Sequence, residues 1–182
     1  MRLPYISNPP TNLDPAGQDI VRQILRRRGK SGLLELDLTL LHSPAIACGW
    51  HAFFGAIYSG SIIQTDLLEI AICRVALLNR ARYQFEGHAA MLQKCEGFDS
   101  EKMKTVATVQ PADQGFLSFG QWVLLRYADA MMRDITVDRA IFSDLQKSGL
   151  SDREIVELTV AIGAYNGVSR FLVALDVGEK NL

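Results

Sequence analysis

The sequence predicts an all-α protein, and three observations carry that prediction. Apolar residues recur at helical spacing through most of the chain, as in Leu68, Ala71, Ile72, Val75 and Ala76. Start signals recur as well: Asp14-Pro15, Ser43-Pro44 and the pair Ser151 and Glu154 each set an oxygen side chain before a helical run. No segment reads convincingly as a strand. Only the leucine-rich run 33–41 admits an alternating reading, and its neighbours favour a short helix. A chain of 182 residues, 48% apolar and 21% charged, suits one domain (1–182) with a core large enough to need no disulfide or metal for stability.

The elements follow in order. Residues 1–13 hold three of the six prolines and read as an extended arm that packs over the domain or onto a neighbour. Asp14 caps a helix that runs through Ile20, Val21, Ile24 and Leu25 to Gly29. The second Pro-led helix spans Ser43 to Gly60, with Trp50, Phe53, Phe54 and Ile57 as its bulky face. Thr65 or Asp66 caps the next, Asn79 breaks it, and another runs from about Ala81 to Lys94. A short helix is expected over 99–108. A long one begins at Pro111-Ala-Asp113 and carries Phe116, Phe119, Trp122, Val123 and Tyr127. Asp138 to Gln146 forms the next, closed by Ser148-Gly149. The last runs from Ser151 towards Asp176, with Gly163 and Gly167 marking close packing or a kink. A weak echo at an offset of 88 aligns Glu69 with Glu157, Arg82 with Arg170 and Tyr83 with Phe171, as two related hairpins would; only the first copy has a histidine, His88, where the second has Asp176.

Residues 65–90 are more polar than a core hairpin requires. They carry Glu69, Arg74, Tyr83 and His88 among apolar neighbours, and Gln84 and His88, four apart, share a face. His88 suits proton transfer near neutral pH. Glu69 reads equally as its orienting partner, as a base, or as a carboxylate paired with Arg74, Arg80 or Arg82. Arg74 offers a bidentate grip on a substrate anion or a contact at a subunit interface. Tyr83 can donate to a developing oxyanion or lie half-buried with a wet tip. Trp50 and His51 on the preceding helix read as an aromatic wall with a second proton-transfer group, or as core and surface. Asn166 and Arg170, four apart, line the same cavity or clamp two helices.

The runs Glu69-Ile-Ala-Ile-Cys-Arg74-Val-Ala and Tyr83-Gln-Phe-Glu-Gly-His88 resemble the helical hairpin of the carboxymuconolactone decarboxylase superfamily, roughly E-[IL]-[AI]-[IL]-x-R-[VA]-A and then Y-E-W-x-x-H. The opening RLPYI, HSPAI at 42–46 and residues 150–175 extend the resemblance over most of the chain. It implies the alkylhydroperoxidase D-like multi-helix fold and a homo-oligomer, trimer or hexamer. The redox branch of that superfamily places a C-x-x-C pair ahead of the histidine; here those positions are Ala81 and Gln84. The function so implied is a cofactor-independent, decarboxylase-type lyase for a small carboxylated or lactone metabolite. Arg74 would hold the anion, Tyr83 stabilise the enolate, His88 deliver the proton and Glu69 set its tautomer. The same pocket suits isomerisation or cyclisation without loss of carbon dioxide. A binding module that kept the fold and lost the chemistry is the other class.

Other functions find little support. A net charge of −1 exerts no pull on nucleic acid or anionic membrane, and the basic run Arg26-Arg27-Arg28 reads as a solvated helix end. Cys48, Cys73 and Cys95 form no metal-ligand or dithiol spacing, which sets thiol peroxidase chemistry aside and fits a reducing compartment. No signal peptide, no run of some 20 apolar residues for a membrane span, no phosphate loop, no Rossmann fingerprint and no H-E-x-x-H motif is read, so the expectation is a cytoplasmic protein without metal or cofactor.

Overall fold

The computed structural model describes residues 1–181, and its regular structure is entirely helical among them. Nine α-helices follow one another: α1 (Pro15–Arg28), α2 (Glu35–Leu40), α3 (Pro44–Gly60), α4 (Thr65–Leu78), α5 (Arg82–Leu92), α6 (Ser100–Ala107), α7 (Phe119–Arg133), α8 (Arg139–Lys147) and α9 (Asp152–Leu175), with a short 3₁₀ turn at Gly29–Ser31.

α4 is the axis of the molecule. Ten consecutive residues, Leu67 to Ala76, are buried, so the helix has no solvent face over nearly three turns. It packs against α5, α7 and α9, which supply Leu92, Val123, Leu124, Leu158, Ile162 and Leu172 to the main core. A smaller core of Ile20, Val21, Ile24, Leu40, Leu41 and Ala47 joins α1, α2 and the start of α3. Trp50 and Phe171 pack against both cores, so α3 bridges the N-terminal helices and the bundle. The arm lies on the domain through Arg2 N to Leu175 O (2.8 Å) and Ile6 N to Leu38 O (3.3 Å).

Several boundaries differ from expectation for local reasons. α4 begins at Thr65, with Gln64 at the cap and no side-chain capping bond; Asp66 instead accepts from Gln121 Nε2 at 2.8 Å. α7 begins at Phe119 and not at Pro111, because Ser118 and Gln121 form a reciprocal capping box while 111–117 stays in turns. Phe53 turns outward at 48% exposure, leaving Trp50, Phe54 and Ile57 as the inward face of α3. α9 runs unbroken through Gly163 and Gly167, which face outward with no atom near where a Cβ would lie. By length and composition α9 also meets the criterion for a membrane span, contrary to the sequence reading, but here its apolar side packs on α4.

Candidate active site

Glu69 lies in the buried run of α4 with no exposed surface. A carboxylate in such a place is very unfavourable unless each oxygen finds a donor. Both do. His88 Nδ1, on α5, is 2.7 Å from Oε2, and the Tyr58 hydroxyl, on α3, donates to Oε1. With Glu69 as the acceptor, the Nδ1 proton is fixed and the lone pair of the neutral ring falls on Nε2. That nitrogen has no partner among the described residues and is open to solvent, on a side chain 18% exposed. Burial first, and then the hydrogen bond to Glu69, push the Tyr58 phenol far above its usual range, so it donates throughout the physiological pH range.

The edge of Tyr165, on α9, meets the His88 ring at 5.2 Å between centroids. Phe54 meets Tyr165 at 5.4 Å, and Trp50 meets Phe54 at 4.7 Å, so an aromatic wall leads from α3 to the imidazole. The Tyr165 ring is buried, yet its hydroxyl is open to solvent and bonds to nothing among the described residues. Burial, with Glu69 next in weight, raises its pKa as well, keeping it protonated.

The structure brings together Glu69 and His88 and sets Trp50 on the wall beside them. His51 sits on the face of α3 that carries Gly55 and Tyr58, its Nδ1 buried without a partner. Burial first, and then the charge of Arg27, lower its pKa.

Arg74 is elsewhere, which corrects its expected grip on a substrate anion. Its guanidinium is wholly buried, with every N–H spent: two bonds to Asp129 (2.8 and 2.6 Å) and three to the carbonyls of Val106, Thr108 and Val109 (2.6, 2.6 and 3.1 Å). It ties α4 to α7 and to the loop after α6. Tyr83 is likewise displaced. It lies five residues before His88, about 140° round α5, its ring against Gly178 and its hydroxyl donating to Glu35 at 2.7 Å. Asn166 accepts from Asn79 Nδ2 (3.0 Å) and Arg170 Nε (3.2 Å), a clamp between α9 and the end of α4. At the two positions where the sequence resemblance would place a redox pair, Ala81 is fully buried and Gln84 accepts from Ser169 Oγ at 3.0 Å.

Sequence reasoning missed Tyr58 and Tyr165. The available signal was geometric only: Tyr58 continues the inward side of α3 one turn after Phe54, and Tyr165 lies on the face of α9 that carries Leu158, Ile162 and Leu172.

No family model matches the chain, and no curated protein matches it. Its fold is that of the alkylhydroperoxidase D-like proteins, as three solved structures show. An uncharacterized peroxidase-related protein from Silicibacter sp. TM1040 shares 19% identity at a TM-score of 0.74, over 98% of this chain and 94% of that one. An alkylhydroperoxidase AhpD core protein from Ralstonia eutropha JMP134 shares 16% at 0.78, over 97% and 90%. The debrominase Bmp8 in complex with 2,3,4-tribromopyrrole shares 18% at 0.71, over 90% and 84%.

Proposed function

We propose that the protein is a cofactor-independent acid/base enzyme acting on a small carboxylated or lactone metabolite, with His88 as the proton-transfer group. One observation carries this reading: a fully buried carboxylate orients a half-buried imidazole whose other nitrogen is free and open. Glu69 holds the tautomer and steadies the imidazolium formed when Nε2 takes a proton. In the decarboxylase-type form, the carbon–carbonyl bond of the leaving carboxylate breaks and carbon dioxide departs. The electron pair is held as an enolate facing the Tyr165 hydroxyl, and Nε2, protonated beforehand by solvent, delivers that proton to carbon. Tyr165 thus takes the part expected of Tyr83. Isomerisation uses the same groups, with the proton removed from one carbon and returned to another.

The neighbours named for peroxidase or debrominase chemistry motivate a redox alternative, but the residues beside His88 here are Ala81 and Gln84. Burial also pushes the Cys73 thiol far up, and Cys48 is exposed on α3. We also propose that the chain self-associates. The outward sides of α3 and α9 support this, with Ile46, Phe53, Val156 and Val160 exposed.

The test uses small aromatic and lactone carboxylic acids in deuterated water, following carbon dioxide release and deuterium entry at carbon. Wild-type protein should give one of the two, and His88→Gln should abolish it. Turnover unchanged in His88→Gln, or neither signal from any acid, returns the protein to the binding-module class.

A further inference from the structure

With Arg74 sealed inside the bundle, the acid/base site lacks its expected anchor for a negatively charged substrate. The structure holds another guanidinium nearby. Arg27, in the last turn of α1, makes no hydrogen bond or ion pair among the described residues. Its neighbour Arg28 is neutralised by Asp37, which accepts from Arg28 Nη2 at 2.8 Å and from Leu34 N at 2.9 Å. The aliphatic part of Arg27 reaches across α3 above Gly55, where a Cβ would come within 4.0 Å of its Cδ. Gly55 lies one turn after His51 and three residues before Tyr58, on the side of α3 that leads to Glu69. Arg27 is exposed overall; partial burial and the charge of Arg28 lower its pKa while Asp37 pulls it the other way, and the positive charge of Arg27 in turn reaches Tyr165.

The Arg27 guanidinium, His51 Nδ1, the Tyr165 hydroxyl and His88 Nε2, none with a partner among the described residues, therefore lie around one region: the charge of Arg27 acts on His51 and Tyr165, and the edge of Tyr165 meets the His88 ring. Three of them can donate, and one carries a full positive charge.

We infer that Arg27 is the anion-binding arm of the Glu69–His88 site, with His51 at its side, and that the ligand it selects is a small planar monocarboxylate. This rests on the acid/base reading of that site. A planar guanidinium holds a carboxylate through two parallel N–H bonds, and Lys would not reproduce that fork. The charge count favours a monoanion. Arg27 makes no ion pair among the described residues, while Glu69 already contributes a negative charge, so a dianion would enter with one charge uncompensated. A flat ring suits the neighbourhood, because the half-buried Trp50 and the Tyr165 edge beside His88 are aromatic. A carboxylate on Arg27 then directs the rest of the molecule along Tyr165 towards Nε2, which fits the isomerisation form, in which the carboxylate is kept.

The test titrates the whole protein with benzoate and with its neutral analogue benzamide, observed through the imidazole signals of the three histidines. Benzoate should shift His51 and His88 saturably and spare His42, whose ring is held by the Pro4 carbonyl. Arg27→Gln should weaken benzoate about tenfold or more, with benzamide binding and the melting temperature unchanged. Arg27→Lys should recover only part of the loss. Equal benzoate affinity in Arg27→Gln overturns the inference, as does benzamide binding as tightly as benzoate in the wild type. The two readings fail separately. Benzoate binding that requires Arg27, in a protein whose His88→Gln variant turns over normally, upholds the anion site and removes the acid/base assignment.

Discussion

Tyr58→Phe removes one oxygen and leaves every apolar contact of the ring in place, so it isolates the hydrogen bond that holds Glu69. The carboxylate has no exposed surface and two partners, Tyr58 and His88. Losing one leaves a buried, charged acceptor half-satisfied. A hydrogen bond to a charged group contributes roughly 1.5–3 kcal/mol. The cavity contribution is negligible, because phenylalanine fills the same volume less one atom. The expected loss is therefore about 2 kcal/mol, or some 4–8 °C in melting temperature for a chain of this size. Urea unfolding at neutral pH measures it directly. The sharper assay repeats the substitution in a Glu69→Gln background, where no charge remains to stabilise. There Tyr58→Phe should cost about 1 kcal/mol less, a coupling typical of residues in direct contact. A loss below about 0.5 kcal/mol, or the same loss in both backgrounds, would refute the claim that Tyr58 sustains a buried carboxylate.

Three further outcomes follow from the same reasoning. Arg74→Ala should destabilise the protein by about 3–5 kcal/mol, because it strands Asp129 and three carbonyls in the interior; a urea midpoint close to wild type would mean that Arg74 is free to serve a substrate after all. Gly178→Ala combines a left-handed backbone, φ +79°, with a new Cβ only 2.1 Å from Tyr83 Cδ2, so a loss of about 2 kcal/mol or more is expected, read as a lower melting temperature. His51 is held neutral in the fold by burial and by Arg27. The unfolded chain takes up a proton below about pH 6.5 that the folded chain refuses, so stability is lost as pH falls from that value towards the lowered folded one. His51→Phe should flatten this limb in urea midpoints collected down to about pH 5, and an unchanged slope would contradict the assignment.

How much of this was legible in the sequence depends on the range of the signal. Asp14-Pro15 and the pair Ser151 and Glu154 act within one turn, and both helices start where these signals stand. Ser118 and Gln121 make an equally local box, yet Pro111-Ala-Asp113 reads as an earlier start, with Phe116 and Phe119 on the apolar face. Those phenylalanines are in fact exposed, at 68% for Phe116 and 49% for Phe119, so their apolar character marked no helix face. Arg74 was misread for a different reason. A charge inside an apolar run has two physical solutions, a cavity with a ligand or a complete set of internal acceptors. Only the fold, by bringing Asp129 and the 106–109 carbonyls to α4, chooses the second. Glu69 and His88 lie 19 residues apart on consecutive helices, close enough for a motif to register. Tyr165 lies 77 positions from His88, and no local pattern could join them.

The arrangement of the hairpin also bears on the kind of chemistry it supports. A dithiol cycle needs an attacking thiolate and a resolving thiol within reach of the base. The positions that would supply them are a buried alanine and a buried glutamine whose Oε1 is occupied by Ser169. Cys73 sits one turn after Glu69 on the same helix, but burial first, and then that carboxylate, push its thiol away from the reactive form. What persists around His88 is the apparatus for moving a proton: a fixed tautomer, a free nitrogen and two phenols that stay protonated. Under the proposed acid/base reading, such a site acts on a carbon acid held in front of Nε2. On that reading the reaction also needs a charge to hold the acid, the part proposed for Arg27, which makes no ion pair among the described residues.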